Sequence, residues 1–295
     1  MSDAATRKSY SALDRFEVLE ELGRGAGSRI LHIRDPQGLQ HYAMKVVVRN
    51  SREEQKFLDQ AKHEFEVAQK LDHPALVKVY DIRVIRRWFR EREVRTLMEY
   101  VHGQTLEQLK SPSVPLLVVV FAEVAGAVSY MHRSDVFHAD LKPNNIMVSQ
   151  SGQVKVIDFG LAWFRGQQKH RIQGTMSYLA PEQMQNRVVT EATDMYNLGV
   201  TMHRMLTGSG AARGEALPGT GHIFNPVVRH AARDLNPEVS PALSDLVSRC
   251  CETKPQKRPA SMAALAESLA AIMKAMKVTL EELPNLLQRP RPQEE

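Results

Sequence analysis

Cysteine is nearly absent: the 295 residues hold two, Cys250 and Cys251, adjacent in the chain. Neighbouring cysteines cannot staple a fold, and no spaced metal-ligand pattern accompanies them, which excludes a disulfide framework. A reducing compartment, and so a cytoplasmic location, is the expectation. The N-terminus lacks the basic-then-apolar order of a leader, and residues 1–14 read as a flexible tail. Long hydrophobic runs are missing too. The most apolar stretch, Leu116 to Met131, contains Glu123 and falls short of the about 20 residues a bilayer requires, so it is expected to be a buried helix and not a membrane span. No internal repeat or low-complexity block interrupts the chain.

What is present is globular in composition, with 43% hydrophobic and 25% charged residues, enough for a sizeable core or for two smaller ones facing a cleft. The formal net charge is +5, and its densest source is Arg83 to Arg95. There Arg83, Arg86, Arg87, Arg90, Arg92 and Arg95 interleave with Val84, Ile85, Trp88, Phe89 and Val94, as on the solvated rim of two hairpin strands or on a docking surface. No nucleic-acid motif accompanies it, so no nucleic-acid partner is expected.

Phe16 to Val48 is strand-like around a glycine-rich turn, and Tyr42 to Val48 is β-branched and apolar. Gln55 to Leu71 repeats Phe57, Ala61, Ala68 and Leu71 at helical spacing until His73-Pro74 ends the pattern. Strands resume from Leu76 to Tyr100; after Gly103 the chain turns mostly helical, broken by a hairpin with arms Ile146 to Val148 and Val154 to Ile157. The expected class is α+β in two lobes: a small β-rich N-lobe with one long helix, 15–100, a hinge at 99–103 and a larger helical C-lobe, 104–272. An extension, 273–295, carries Thr279-x-x-Glu282 before Leu283, Leu286 and Leu287, a capped short helix that lies on the large lobe or docks a partner.

Three groups of residues carry chemistry. The turn Gly23, Arg24, Gly25, Ala26, Gly27, Ser28 lies between strands, where missing Cβ atoms let backbone amides approach a phosphate. No helix follows it, which excludes a Rossmann dinucleotide site. Lys45 shares a strand face with Ala43, and Glu64 shares the apolar helix face of Phe57, Ala61 and Ala68. Each charge alone reads as a solvated edge; together they explain each other, since a buried cation and carboxylate need partners. Finally, His138-Ala139-Asp140-Leu141-Lys142-Pro143-Asn144-Asn145 is followed after the hairpin by Asp158-Phe159-Gly160. Asp140, Asn145 and Asp158 are hard oxygen donors of the kind Mg²⁺ prefers, and one of them could be a base instead. Singly they are ordinary turn residues. Their order around one hairpin is not.

Together with Ala180-Pro181-Glu182, Gly174-Thr175 before Tyr178, Asp194 with Gly199, and Arg258 in Lys-Pro-x-x-Arg-Pro, these motifs resemble the eukaryotic-type protein kinase family from about Phe16 to about Ala270. The wording around Lys45 and Glu99 is most similar to bacterial serine/threonine kinases. The resemblance implies a protein-kinase-like fold and a serine/threonine protein kinase using ATP with Mg²⁺, or Mn²⁺ in its place, on protein substrates with Ser/Thr acceptors. It implies that Leu22, Ile30 and Ala43 cover the adenine over Met147, with Met98 as gatekeeper and backbone groups of Glu99 and Val101 as its hydrogen-bond partners. The glycine-rich turn would cover the phosphates. Lys45, braced by Glu64, would hold the α and β phosphates, Asn145 and Asp158 the metal, and Lys142 the γ-phosphate. Asp140 would orient the substrate hydroxyl, with Thr175 bridging Asp140 and Lys142, the serine/threonine pattern. Glu182–Arg258 and Asp194 would be structural.

Three positions depart from the family. Ser28 and Gly27 stand where a third glycine and an aromatic are usual, Ala139 replaces the arginine usual before the catalytic Asp, and Ala68 is smaller than is common. Leu161 to Gly174 contains no Ser, Thr or Tyr, so activation-segment phosphorylation is not expected to be needed; Arg165, Lys169 and Arg171 within it are read as solvated or facing an acidic surface. The alternatives are a pseudokinase scaffold, which would normally lose Lys45, Asp140 or Asp158, and a small-molecule phosphotransferase, which would generally lack the Ala-Pro-Glu segment.

Overall fold

The computed structural model describes residues 16–25, 27–167, 173–186, 188–208, 215–216, 223–224 and 230–288. Ala26, Lys169 and Arg171, residues 1–14 and the end of the C-terminal extension lie outside them. The chain divides into two compact units, one of Met1–Gln69 with Lys78–Val101 and one of Lys70–Val77 with His102–Glu295.

The first unit is a five-stranded antiparallel sheet with one helix. Its strands are β1 (Glu17–Gly25), β2 (Ser28–Arg34), β3 (His41–Val48), β4 (Val79–Arg87) and β5 (Arg90–Glu99), in the order β1-β2-β3-β5-β4. Helix α1 spans Gln55–Ala68. The alternation of β3 is what makes two faces. Val47, opposite Val94, packs with Leu58 and Ala61 of α1, while Met44 and Val46 join Ile33 and Leu97 in a separate cluster. Ala43 and Lys45 therefore lie on the α1 face, with their cross-strand partners Met98, Thr96 and Ile30. The helix stops at Ala68, three residues before the expected end, and it buries Leu58 and Val67 beside Ala61, Glu64 and Ala68. Leu71 lies just past the turn, Gln69 and Lys70, that follows. In the basic hairpin the strands hold the arginines, but Trp88 and Phe89 are its two-residue turn.

The second unit is built on helices. In chain order it contains β6 (Gly103–Thr105), α2 (Val114–Arg133), β7 (Val136–Phe137), β8 (Ile146–Ser149), β9 (Val154–Val156) and β10 (Trp163–Phe164). Then come α3 (Pro181–Asn186), α4 (Glu191–Thr207), β11 (Glu215–Ala216), β12 (Ile223–Phe224), α5 (Ala232–Leu235), α6 (Pro241–Cys250), α7 (Met262–Met276) and α8 (Leu283–Gln288). The helix expected to be short of a bilayer's thickness is in fact 20 residues, α2, started by Ser113, whose Oγ accepts from the Leu116 N–H, and by Pro115 in the first turn. It is the one helix among the described residues long and apolar enough to cross a membrane, but 72% of its most apolar window is buried inside this unit. Burial among α4, α7 and α8, not shortness, marks it as core. The extension after α7 opens with the capping box of Thr279 and Glu282, and α8 buries Leu283 and Leu286 against α2.

Candidate active site

In the first unit, the register of β3 sets Lys45 opposite Ile30 and Thr96 on the face that α1 covers. Glu64 lies on the buried stripe of α1, one turn from Ala61 and Ala68. The two meet: Lys45 Nζ donates to Glu64 Oε2 at 2.6 Å, the carboxylate 4% exposed and the ammonium 15%. A pair this dry is costly to assemble and needs close geometry, so its presence argues for a job beyond stability. Ala43 is buried and Met98, its partner across β5, half-buried. Val101 follows the strand end as a half-buried residue, and the Glu99 N–H donates to Lys78 O at 2.8 Å. Leu22 and Gly23 lie along β1, beside a register shift, and Gly23 pairs with Ile30 of β2.

The glycine-rich turn continues the β1–β2 hairpin, Gly25 facing Ser28. Arg24 forms an ion pair with Glu21, and it holds the Glu21 carboxyl below its usual range. Gly27 has φ 77°, and a Cβ there would come within 2.8 Å of the Phe57 ring. Phe57 of α1 thus occupies the space a side chain at 27 would take, a contact the spacing of Phe57 on its helix did not signal.

In the second unit, the loop from His138 to Asn145 is pinned from below by Asp194, in the first turn of α4. Asp194 Oδ2 accepts from the His138 N–H at 2.8 Å and Oδ1 from the Ala139 N–H at 2.6 Å, while His132 Nε2 lies 2.8 Å from Oδ2. Complete burial alone would raise this carboxyl; the His132 hydrogen bond, the His132 and His138 charges and the Ala139 N–H outweigh it and hold Asp194 below the ordinary range. Ala139 sits at φ 65°, a left-handed conformation costly for a residue with a Cβ. Its carbonyl accepts from Gln183 Nε2 at 3.2 Å, and the Leu141 carbonyl from Thr201 Oγ1 at 3.1 Å. The backbone is clamped from both sides.

On that clamped loop Asp140, Lys142 and Thr175 close a triangle. Lys142 Nζ donates to Asp140 Oδ2 and to Thr175 Oγ1, both at 2.7 Å, and the Thr175 N–H donates to Asp140 Oδ1 at 3.1 Å. Asn145 Nδ2 donates to the Asp140 carbonyl at 2.9 Å and to Asp140 Oδ2 at 3.2 Å, so the amide turns its oxygen elsewhere. The Ile157 N–H donates to the Asn145 carbonyl at 2.9 Å, which brings the start of the Asp-Phe-Gly segment beside Asn145. Asp158 follows at φ 66°, its Oδ1 accepting from the Gly160 N–H at 3.2 Å, while Phe159 is fully buried edge-on to His138. Met147 is half-buried on β8. Asp158 carries one carboxylate and Asn145 one amide oxygen. That sparse, hard donor set fits Mg²⁺, which keeps waters and phosphate oxygens as its remaining ligands. Among the described residues no group of three or more His, Cys, Asp or Glu forms a metal-binding cluster.

Two further features frame the site. Arg258 grips Glu182 through both nitrogens, at 2.7 and 2.9 Å, and donates also to the Ala192 carbonyl at 2.6 Å. Arg165, expected to be solvated or to meet an acidic surface, is anchored within its own unit: Nε donates to Asp135 at 2.7 Å, Nη2 to Glu191 at 2.8 Å, and the guanidinium lies 5.0 Å from the Phe137 ring centre. His132, Gln183 and Thr201 escaped the sequence reading, because each acts on a group more than forty residues away and none belongs to a motif.

The protein kinase domain family matches residues 16–270. Among curated proteins, the chain is similar to a probable serine/threonine-protein kinase of Clostridium acetobutylicum, 28% identical over 83% of this chain and 38% of that protein. It is 25% identical to the serine/threonine-protein kinase PrkC of Bacillus subtilis, over 83% of this chain and 38% of that one. The serine/threonine-protein kinase PknB of Mycolicibacterium smegmatis is 30% identical over 83% of this chain and 41% of its own length. The chain thus spans about two fifths of the length of these curated relatives.

Proposed function

Because the chain belongs to the protein kinase family, as the match over residues 16–270 establishes, we propose that it transfers the γ-phosphate of ATP to serine or threonine hydroxyls of protein substrates. The observation that carries this reading is the Asp140–Lys142–Thr175 triangle, which joins a carboxylate, a cation and a hydroxyl in one set of hydrogen bonds. Asp140 is the group that orients the acceptor hydroxyl and takes its proton. Lys142 neutralises charge on the transferred phosphoryl group, and Thr175 bridges it to Asp140. Lys45, held by Glu64, grips the α and β phosphates, and the backbone from Gly23 to Ser28, Ala26 and Arg24 among it, covers them. Leu22, Ile30, Ala43, Met98 and Met147 supply the apolar contacts to adenine, with Val101 offering its N–H and Glu99 its carbonyl. Asp158 and the Asn145 oxygen hold Mg²⁺, or Mn²⁺ in its place, whose chemistry is to screen the phosphate charges as they redistribute.

Little covalent work falls to the protein. Positioning and preorganised charge supply the rate, which is why the clamped backbone beneath Asp140 matters. The kinase domain is assigned to 15–272, with flanking segments 1–14 and 273–295, and the buried free thiols Cys250 and Cys251 suit a cytoplasmic, reducing setting. Lys45, Asp140 and Asp158 are all retained, so no observation favours a scaffold without catalysis. The test is labelling of a generic protein substrate with Mg-ATP and phosphoamino-acid mapping of the product. Phosphoserine or phosphothreonine that disappears in Asp140→Asn supports the reading. Phosphotyrosine, or labelling of small molecules alone, refutes it.

A further inference from the structure

The β4–β5 hairpin ends in two aromatic residues that its fold does not require. Arg87 pairs with Arg90, leaving Trp88 and Phe89 as the whole turn, at φ 51° and 62°. A two-residue turn with both residues left-handed favours Asn-Gly, and bulky side chains there are strained. Both are also bare: Trp88 is 84% exposed and Phe89 fully exposed. A sequence that retains strain and exposed aromatic surface at one tip, where Asn-Gly would close the same hairpin, marks that tip for a contact.

The surrounding charge says what the contact is. Arg86, Arg87, Arg90 and Arg92 are exposed, against two half-buried acids, Glu91 and Glu93, the second of which pairs with Arg95. Glu91 is already engaged, by Lys62 at 2.8 Å, Gln55 at 3.1 Å and Arg86 at 3.4 Å. Among the described residues the side chains of Arg87, Arg90 and Arg92 make no ion pair. Aromatic side chains at a convex end, ringed by unneutralised guanidiniums, match the layered chemistry of an anionic bilayer: an amphipathic indole and a phenyl ring at headgroup depth, cations on the lipid phosphates. A single-stranded nucleic acid would want its aromatics spread along a groove, and an acidic protein would need a pocket deep enough for the tip.

We propose that the β4–β5 tip is an interfacial anchor, Trp88 and Phe89 entering the headgroup region of an anionic phospholipid membrane while Arg87, Arg90 and Arg92 hold its phosphates. This goes beyond the kinase reading and does not depend on it. The test uses the full chain carrying Trp163→Phe, which leaves Trp88 the only tryptophan of the two. It is mixed with phosphatidylcholine vesicles, alone or with about a third phosphatidylserine, and followed by emission and co-sedimentation. The expected result is a blue shift and sedimentation with the anionic vesicles only, reversed by high salt. Trp88→Asn with Phe89→Gly, tested for sedimentation in the same chain, should keep or raise the thermal midpoint and weaken vesicle binding at least tenfold, to order of magnitude; Arg87→Gln with Arg90→Gln should abolish the anionic preference. The proposal is overturned if the parent does not bind anionic vesicles, if the Asn-Gly variant binds them equally well, or if the tip instead retains polyglutamate, a single-stranded oligonucleotide or a second copy of the chain.

Discussion

At the scale of single residues, the site depends on side chains that are few and mutually held. Asp140→Asn leaves the hydrogen-bonding shape but removes the negative charge that orients a hydroxyl and meets Lys142. Labelling should fall by about 10²- to 10⁴-fold with an unchanged thermal midpoint. Undiminished labelling would remove Asp140 from the chemistry. Asp158→Ala should abolish the Mg²⁺ dependence of ATP binding in calorimetry, because the Asn145 oxygen alone is a neutral, weak ligand. Asp194 makes a pH prediction. Its carboxyl is held below the ordinary 3.8, so its contribution is fully present above that value and is lost as pH falls through the lower folded value. Asp194→Asn should lower the thermal midpoint at neutral pH and flatten the part of the acid limb below about pH 4; a parallel acid limb would show that Asp194 is not the group concerned. The residues proposed for the chemistry stood out in the sequence because a phosphate, a dication and a hydroxyl each demand a particular residue type within a short stretch. His132, Gln183 and Thr201 did not, because the Asp194 carboxylate and the Ala139 and Leu141 carbonyls they meet lie 62, 44 and 60 residues away and no local pattern marks them.

At the scale of elements, the segment after Asp-Phe-Gly carries the expectation that this loop is set without phosphate. Kinases with arginine before the catalytic Asp bury a cation that a loop phosphate neutralises. Here Ala139 supplies no cation, and Arg165 reverses the arrangement: the loop brings the positive charge, and Asp135 and Glu191 meet it. Glu191 opens α4 three residues before Asp194, so one helix start holds both the loop and the backbone beneath Asp140. Arg165 bonds to Asp135, the His132 carbonyl and Glu191 and to none of Asp140, Lys142 and Thr175, so the role expected of it is positioning. Enzyme prepared with a co-expressed phosphatase, then freed of it, should label substrate without a lag. Arg165→Gln should lower kcat about tenfold with KM for ATP little changed, and Arg165→Lys should recover part of the loss. A lag that tracks phosphate incorporation on the segment would overturn this. Elements themselves were readable where period decided them: β3 by alternation, α1 by its apolar stripe. They were misread at their ends, where α1 stopped at Ala68 and Trp88-Phe89 formed a turn that no turn residue announced.

At the scale of the whole molecule, the two units carry unequal means of stability. The first has strands with a split core and one helix; the second has α2 in its core and a fully buried cation, Arg258, shared among α3, the start of α4 and the turn after α6. The guanidinium is 0% exposed, donates to Glu182 and to the carbonyls of Ala192 and Glu252, and lies 4.9 Å from the Tyr196 ring centre. The same burial pushes the Tyr196 hydroxyl pKa far up, and the Cys250 thiol up to about 12, so neither ionises to offer a substitute partner. A buried pair contributes little net stability while intact, but removing one member strands the other without solvent or partner. Arg258→Met should therefore cost about 3 to 5 kcal/mol, more than its packing loss, and lower the midpoint of the second unit by roughly 10 °C. Arg258→Met combined with Glu182→Leu should recover a large part of that loss, since the stranded carboxylate is gone. Calorimetry on both variants decides it: a double variant no more stable than the single would mean that Arg258 works through its carbonyl contacts and ring stacking, and that Glu182 is incidental to how this unit holds together.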